Sequence, residues 1–215
     1  MRRGSFRDET VDYAAVGATQ AEDLLQYPPE KSIPAAESWR LGSGEERFRT
    51  AAEDLLGWAA QRGAGVEIVE VRPAAGPAYT GVSFDGEGNA IAPAGMEGEQ
   101  RFDAEGTPLV SAGATVTLHG RVRGHRAGGE LRVIFVVEER RRVGFALGTV
   151  GGSVVSGEES FMVEWRDDDE VWFSVRAFDR PTRLLGRMFP ALIRRRRKAL
   201  FDRYLRAISP LFATP

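Results

Sequence analysis

Three polar residues stand where an apolar strand face would otherwise continue. Side chains of a strand alternate between faces, so residues two apart share one. Thr149 has the parity of Val143, Phe145 and Leu147; Glu159 that of Phe161 and Val163; Asp179 that of Val175 and Ala177. A hydroxyl and two carboxyls at the ends of apolar faces suit two kinds of chemistry: gripping the polar end of a small molecule, or moving a proton. Downstream lies a run of four arginines and a lysine, residues 194–198. On a helix such a run sweeps about 500° around the axis, so it cannot all face water on a packed element. Arg196 or Arg197 should turn inward, between Ile193 and Leu200. A buried guanidinium needs a carboxylate or an anionic ligand. Either a structural ion pair with Glu159 or Asp179, or a ligand-greeting cluster, meets that need.

The elements that must position these groups are legible as periods. Residues 115–122, 132–138, 143–149, 159–165 and 171–178 alternate as half-buried strands of one antiparallel sheet. Asp167, Asp168 and Asp169 form a turn between the last two. If that turn closes a hairpin, Thr149, Glu159 and Asp179 fall at one end of the sheet. A long amphipathic helix over about 190–209 follows, opened by Pro190, with Phe189, Ile193, Leu200, Tyr204 and Ile208 on its apolar face. Tyr204 thereby joins the candidate ligand-binding residues. Upstream, Ser43-Gly44-Glu45-Glu46 has a capping-box pattern, which predicts a helix over 44–62 with Gly63 as C-cap. A strand from Val66 to Val71 follows. The expected organisation is a single domain, 1–215, of class α+β. An N-terminal arm (1–40) wraps the surface, 76–110 is an insertion, and 111–209 form a curved antiparallel sheet around the long C-terminal helix. The insertion holds a repeat, FDGEGNAIAPAG (84–95) and FDAEGTPLVSAG (102–113), which predicts paired peripheral turns.

Composition excludes much. The 215 residues include no cysteine, so disulfides and thiolate metal sites are out. His119 and His125 are the only histidines, too few for a histidine zinc centre. Asp85, Glu87 and Asn89 have the first calcium-loop spacings, but Ala90 and Met96 stand where glycine and glutamate are needed. No Ser–His–Asp order, phosphate loop or metal set is present, and no cofactor is implied. No apolar run reaches membrane-span length and no hydrophobic region follows the N-terminal arginines, so a cytoplasmic location is expected. The net charge of −2 hides an asymmetry, −9 over 1–110 and +7 over 111–215.

Several segments resemble the uncharacterised bacterial and plant family called domain of unknown function nineteen-ninety. They are Asp12-Tyr13-Ala14-Ala15-Val16-Gly17-Ala18-Thr19, Leu41-Gly42-x-Gly44 before a helix ending near Trp58, and Gly144-Phe145-Ala146-Leu147-Gly148-Thr149-Val150. Ser156-Gly157-Glu158-Glu159-x-Phe161 and Ala177-Phe178-Asp179-Arg180-Pro181 complete the set. The chain departs from the family pattern at Leu147 (Tyr there), Ser153-Val154 (His-Pro there) and Asp179 (Ser there). The family has no established function, so the resemblance carries over no activity. It implies a helix-grip architecture similar to START domains and polyketide cyclases, which wrap a sheet around a long helix and enclose a cavity.

Three functions follow. The first is a cavity-forming binding module for a small amphipathic or hydrophobic molecule, with Thr149, Glu159, Asp179, Arg196, Arg197 and Tyr204 as ligand-binding residues. The second is an enzyme using Glu159 or Asp179 as proton carrier in the same cavity. The third is an interaction protein whose Arg-rich helix meets nucleic acid or anionic lipid. Against the third, the run sits mid-helix among apolar residues without interleaved aromatics, so no specific nucleic-acid partner is expected.

Overall fold

A computed structural model describes residues 11–74, 83–84, 90–91, 101–103, 106–122, 125–151, 155–182 and 190–210. Its strands are β1 (Ile33–Ser43), β2 (Val66–Arg72), β3 (Ser83–Phe84), β4 (Ala90–Ile91), β5 (Thr115–Val122), β6 (His125–Glu139), β7 (Arg142–Thr149), β8 (Val155–Trp165) and β9 (Glu170–Pro181). The helices are α1 (Glu45–Leu56), α2 (Ala59–Gly63) and α3 (Pro190–Ile208). Seven strands form one antiparallel sheet in the order β1-β9-β8-β7-β6-β5-β2. The sheet curves around the helices in the helix-grip arrangement that the resemblance implies, from the strands and closing helix that the period changes mark.

Alternation decides which residues meet the helices. Phe145 and Leu147 of β7, Phe161 and Val163 of β8, and Phe173 and Val175 of β9 are all buried on the concave face. Against them lie Phe48 and Leu55 of α1, the buried Trp58, and Phe201, Tyr204 and Leu205 of α3. The aromatic rings form a continuous chain: Trp58 to Phe145 at 5.5 Å, Phe145 to Phe161 at 5.2 Å, Phe161 to Tyr204 at 5.1 Å. This chain of rings runs across the middle of the concave face.

Four expectations need correction. Residues 33–40 belong to a full edge strand, β1, which continues to Ser43 and pairs with β9 from Ile33↔Asp179 to Ser43↔Glu170. Pro34, Ala35 and Ala36 weaken the strand signal; proline is tolerated because β1 is an edge. The helix over 44–62 is two helices. Gly57 caps the first, and Trp58 adopts a left-handed conformation (φ 66°) that turns its indole into the core. Such a conformation costs about 1–2 kcal/mol in a non-glycine residue. Complete burial of Trp58 and a 2.9 Å bond from its Nε1 to the Pro108 carbonyl hold it. The capping box does not form, because Ser43 is paired in the sheet and Gly44 occupies the N-cap with no side-chain bond. The segment 102–113 is not peripheral: Val110 is buried and its N–H bonds the Leu56 carbonyl at 3.0 Å.

At the first repeat copy, Phe84 pairs with Ala90, and the preceding Ser83 pairs with Ile91, as two short antiparallel strands. The rest of that copy, Ser153-Val154, Phe189 and the N-terminal arginines lie outside the described residues. The arm is observed from residue 11: it lies on the convex face, where the Asp12 N–H bonds the Thr149 carbonyl at 3.0 Å.

Candidate functional site

Glu159 enters the concave face because β8 alternates strictly: Glu159, Phe161 and Val163 share one side and Glu158, Ser160 and Met162 the other. Register places Glu159 opposite Leu147 on β7 and Ala177 on β9, with Asp179 one step beyond, opposite Gly157 and Ile33. The helix supplies the other two groups. Arg197 is 6% exposed; its Nη1 donates to the Ile33 carbonyl at 2.7 Å and its Nη2 pairs with Asp179 Oδ2. Tyr204 is 4% exposed and its hydroxyl donates to Glu159. Two turns of α3 thus deliver one cation and one hydroxyl to two carboxyls on adjacent strands.

Electrostatics separate the two acids. Burial raises the Asp179 carboxyl, and the adjoining Arg197 opposes that rise. Its Oδ1 is buried without a hydrogen-bond partner among the described residues. Glu159 makes no ion pair among the described residues. Burial pushes its carboxyl up to about 7; the charge of Arg197 and the Tyr204 bond pull it down, and Asp179 pushes it further up. Burial and the neighbouring Glu159 raise the Tyr204 hydroxyl well above its ordinary value. Glu159 keeps some solvent exposure, so the group sits at an open end of the packed face.

The structure therefore brings together Glu159, Asp179, Arg197 and Tyr204. It leaves out two sequence candidates. Arg196 is exposed, since helix geometry turns only one of the run fully inward. Thr149 is 7% exposed, but its Oγ1 accepts the Gly157 N–H at 2.9 Å and donates to Asp12 Oδ1 at 2.5 Å. It joins the arm to the sheet rather than to the acidic pair. Of the two acids left open as the arginine's partner, Asp179 makes the direct pair, and Glu159 is held by the tyrosine.

The family described as Domain of unknown function (DUF1990) matches residues 12–96 and 84–207. The chain belongs to this family. A UPF0548 protein from Deinococcus radiodurans is 35% identical over 127 residues, covering 50% of this chain and 64% of that protein, so the match spans under two thirds of the relative's length. Among solved structures, a hypothetical protein from Helicobacter pylori is 9% identical with a TM-score of 0.49, over 91% of this chain and 94% of that one. An aromatase/cyclase from Streptomyces sp. R1128 is 13% identical with a TM-score of 0.43, over 82% and 93%.

In this DUF1990 chain the residue next door to Glu159 was missed as a polar centre. Glu158 is 2% exposed on the convex face and receives the arm. Its Oε2 accepts the Tyr13 hydroxyl at 2.8 Å and the Gly17 N–H at 2.7 Å; its Oε1 accepts the Thr19 N–H at 3.2 Å and hydroxyl at 2.5 Å. Tyr13 also packs edge-on to Phe178, 5.6 Å between ring centroids. A Cβ at Gly148 would strike the Tyr13 hydroxyl and Ile134, so a larger residue there would have to displace both side chains. Parity alone could have separated Glu158 from Glu159, and the quoted arm motif held its donors.

Proposed function

We propose that this chain is a binding module for a small amphipathic molecule, with Glu159, Asp179, Arg197 and Tyr204 receiving the molecule's polar end. The apolar body would lie against the concave face beside Leu147, Ala177 and the Phe161 ring. Glu159 carries this reading. It is a largely buried carboxyl held by one tyrosine hydroxyl, with no ion pair among the described residues and some solvent exposure. A purely structural acid is normally tied to a cation or to several donors, as Glu158 is on the other face. Perturbed acids at the end of an apolar surface are commonly functional. Native mass spectrometry of freshly purified protein tests the reading. The expected spectrum carries a small-molecule adduct that denaturation releases and that Glu159→Gln diminishes. A spectrum of bare protein, together with no thermal shift across a panel of amphipathic compounds, overturns it.

One observation favours a second reading at the same place. A carboxyl held near 7 exchanges protons at neutral pH, as a general acid or base must. In that reading Glu159 transfers a proton to or from the bound molecule, with Tyr204 fixing its orientation. Incubating the released molecule with fresh protein in deuterated water separates the two. Deuterium appearing on carbon means proton transfer; its absence leaves binding alone.

A further inference from the structure

We propose that the molecule bound at this end carries a cationic amine, which sits between Glu159 and the free oxygen of Asp179. The proposal rests on the binding reading above and names the chemistry of the head group.

Arg197 is already engaged at both terminal nitrogens. One of its terminal nitrogens donates to the Ile33 carbonyl and the other faces Asp179. Its side chain is 5% exposed and its charge is matched by Asp179. An anionic head would have to break that buried pair to reach the guanidinium, and would then stand beside two carboxyls. Apart from Arg197 Nη2, whose charge Asp179 Oδ2 meets, the open polar atoms of the described group are acceptors. Among the described residues Asp179 Oδ1 has no hydrogen-bond partner, and Glu159 receives only the Tyr204 hydroxyl. With Glu159 ionised, the described groups, two carboxylates and the Arg197 guanidinium, sum to one negative charge in a mostly apolar setting. Such a charge is expensive, and a buried acid answers by taking up a proton. An ammonium group offers the same compensation in place of that proton. It brings up to three N–H donors to the two acceptors that the protein leaves open.

Among the described residues no other charged group near Glu159 competes for this role. From β9 it meets Asp179, and from α3 it meets Arg197 and Tyr204. The β7 residues on the concave face, Val143, Phe145 and Leu147, carry no charge, nor do Phe48, Leu55 and Trp58 of the helix layer. Lys198, the next cation along α3, is turned to Glu37 at 3.0 Å.

Proton and amine then compete for Glu159. Affinity for an amine should rise as pH rises towards 7 and level off above it. Between pH 5.5 and 7.5 the gain should be about twentyfold, if the amine holds Glu159 ionised. Isothermal titration calorimetry of the full chain with octylamine, octanol and octanoate, three probes with one tail length, tests this. Octylamine should bind most tightly. Its preference and pH dependence should vanish in Glu159→Gln, with folding checked by circular dichroism. In the unsubstituted protein, carbon NMR of the Glu159 carboxyl should show its midpoint falling by more than about one pH unit on saturation with octylamine. If octanol or octanoate binds as well or better, the amine proposal fails and the binding reading stands. Octylamine affinity unchanged in Glu159→Gln places the amine elsewhere and also defeats the proposal. If none of the three binds at millimolar concentration, both are overturned.

Discussion

Two consecutive glutamates show how little the residue type alone decides. Glu158 and Glu159 differ by one position, and so face opposite sides of β8. Glu158 meets four donors from the arm, which compensate its burial. Glu159 meets one hydroxyl, and burial dominates. Opposite stability effects should follow. Glu158→Ala strands the donors of Tyr13, Gly17 and Thr19, and should lower stability by about 3 kcal/mol in urea unfolding. A loss below about 0.5 kcal/mol would mean that the arm is held by other contacts. For Glu159 the sign depends on pH. Its folded midpoint, about 7, lies above the ordinary carboxyl value of 4.5, so the folded state holds its proton longer. The stability this lends is complete below the ordinary value and is lost as pH rises through 7. Glu159→Gln is neutral throughout and still accepts the Tyr204 hydroxyl. It should therefore be more stable than the parent at pH 8, by about 1–3 kcal/mol, and nearly equal to it at pH 4. Destabilisation at pH 8 would show that the carboxylate is better compensated than its surroundings indicate.

At the scale of elements, period-two alternation and helix geometry were sufficient for the sheet from β5 to β9, for α3, and for the inward turn of one arginine. They located Glu159 and Asp179 on the concave face. They failed where a contact is remote or a local rule is broken. β1 is short of β-branched residues, and its partner strand lies more than a hundred residues away. The break after α1 needs a left-handed tryptophan, which no pattern of apolar spacing foretells. The close approach of α2 to α3 is equally silent: a Cβ at Gly63 would collide with that of Ala207. Gly63→Ala should cost about 1–3 kcal/mol through overpacking, although alanine is the better helix former. A stabilised variant in thermal unfolding would mean that α2 can move aside freely. The segment 101–110 makes a related point about insertions. Pro108 accepts the Trp58 indole N–H, Leu109 bonds Arg101 at 2.8 Å, and Arg101 pairs with Glu138. Deleting residues 80–108 removes those anchors and should broaden and lower the melting transition. A transition unchanged in midpoint would mean that these contacts add nothing to the stability of the fold.

For the whole molecule the question is what its charge asymmetry does. The basic excess of the C-terminal half is concentrated in α3, yet the structure disperses it. Arg197 is buried against Asp179 and Ile33, and Lys198 is engaged by Glu37. Arg194, Arg195 and Arg196 are exposed and join no ion pair among the described residues. No described helix is long and apolar enough to cross a membrane. Three arginines on a chain of net charge −2 can displace few counterions from a polyanion. A protein neutralising three phosphates should show a log–log salt slope of about −3 with duplex DNA. The association should thus be weak near physiological salt and indifferent to sequence. Fluorescence anisotropy of a labelled duplex, titrated with the full chain at several salt concentrations, measures both properties. Arg194→Ala, Arg195→Ala and Arg196→Ala combined should abolish what binding there is without lowering the melting temperature, because none of the three is buried. A steeper slope, or a sequence preference that survives high salt, would show that more of the basic half meets the duplex than α3 presents. The basic half would then be a second candidate surface for a partner, beside the group proposed at Glu159.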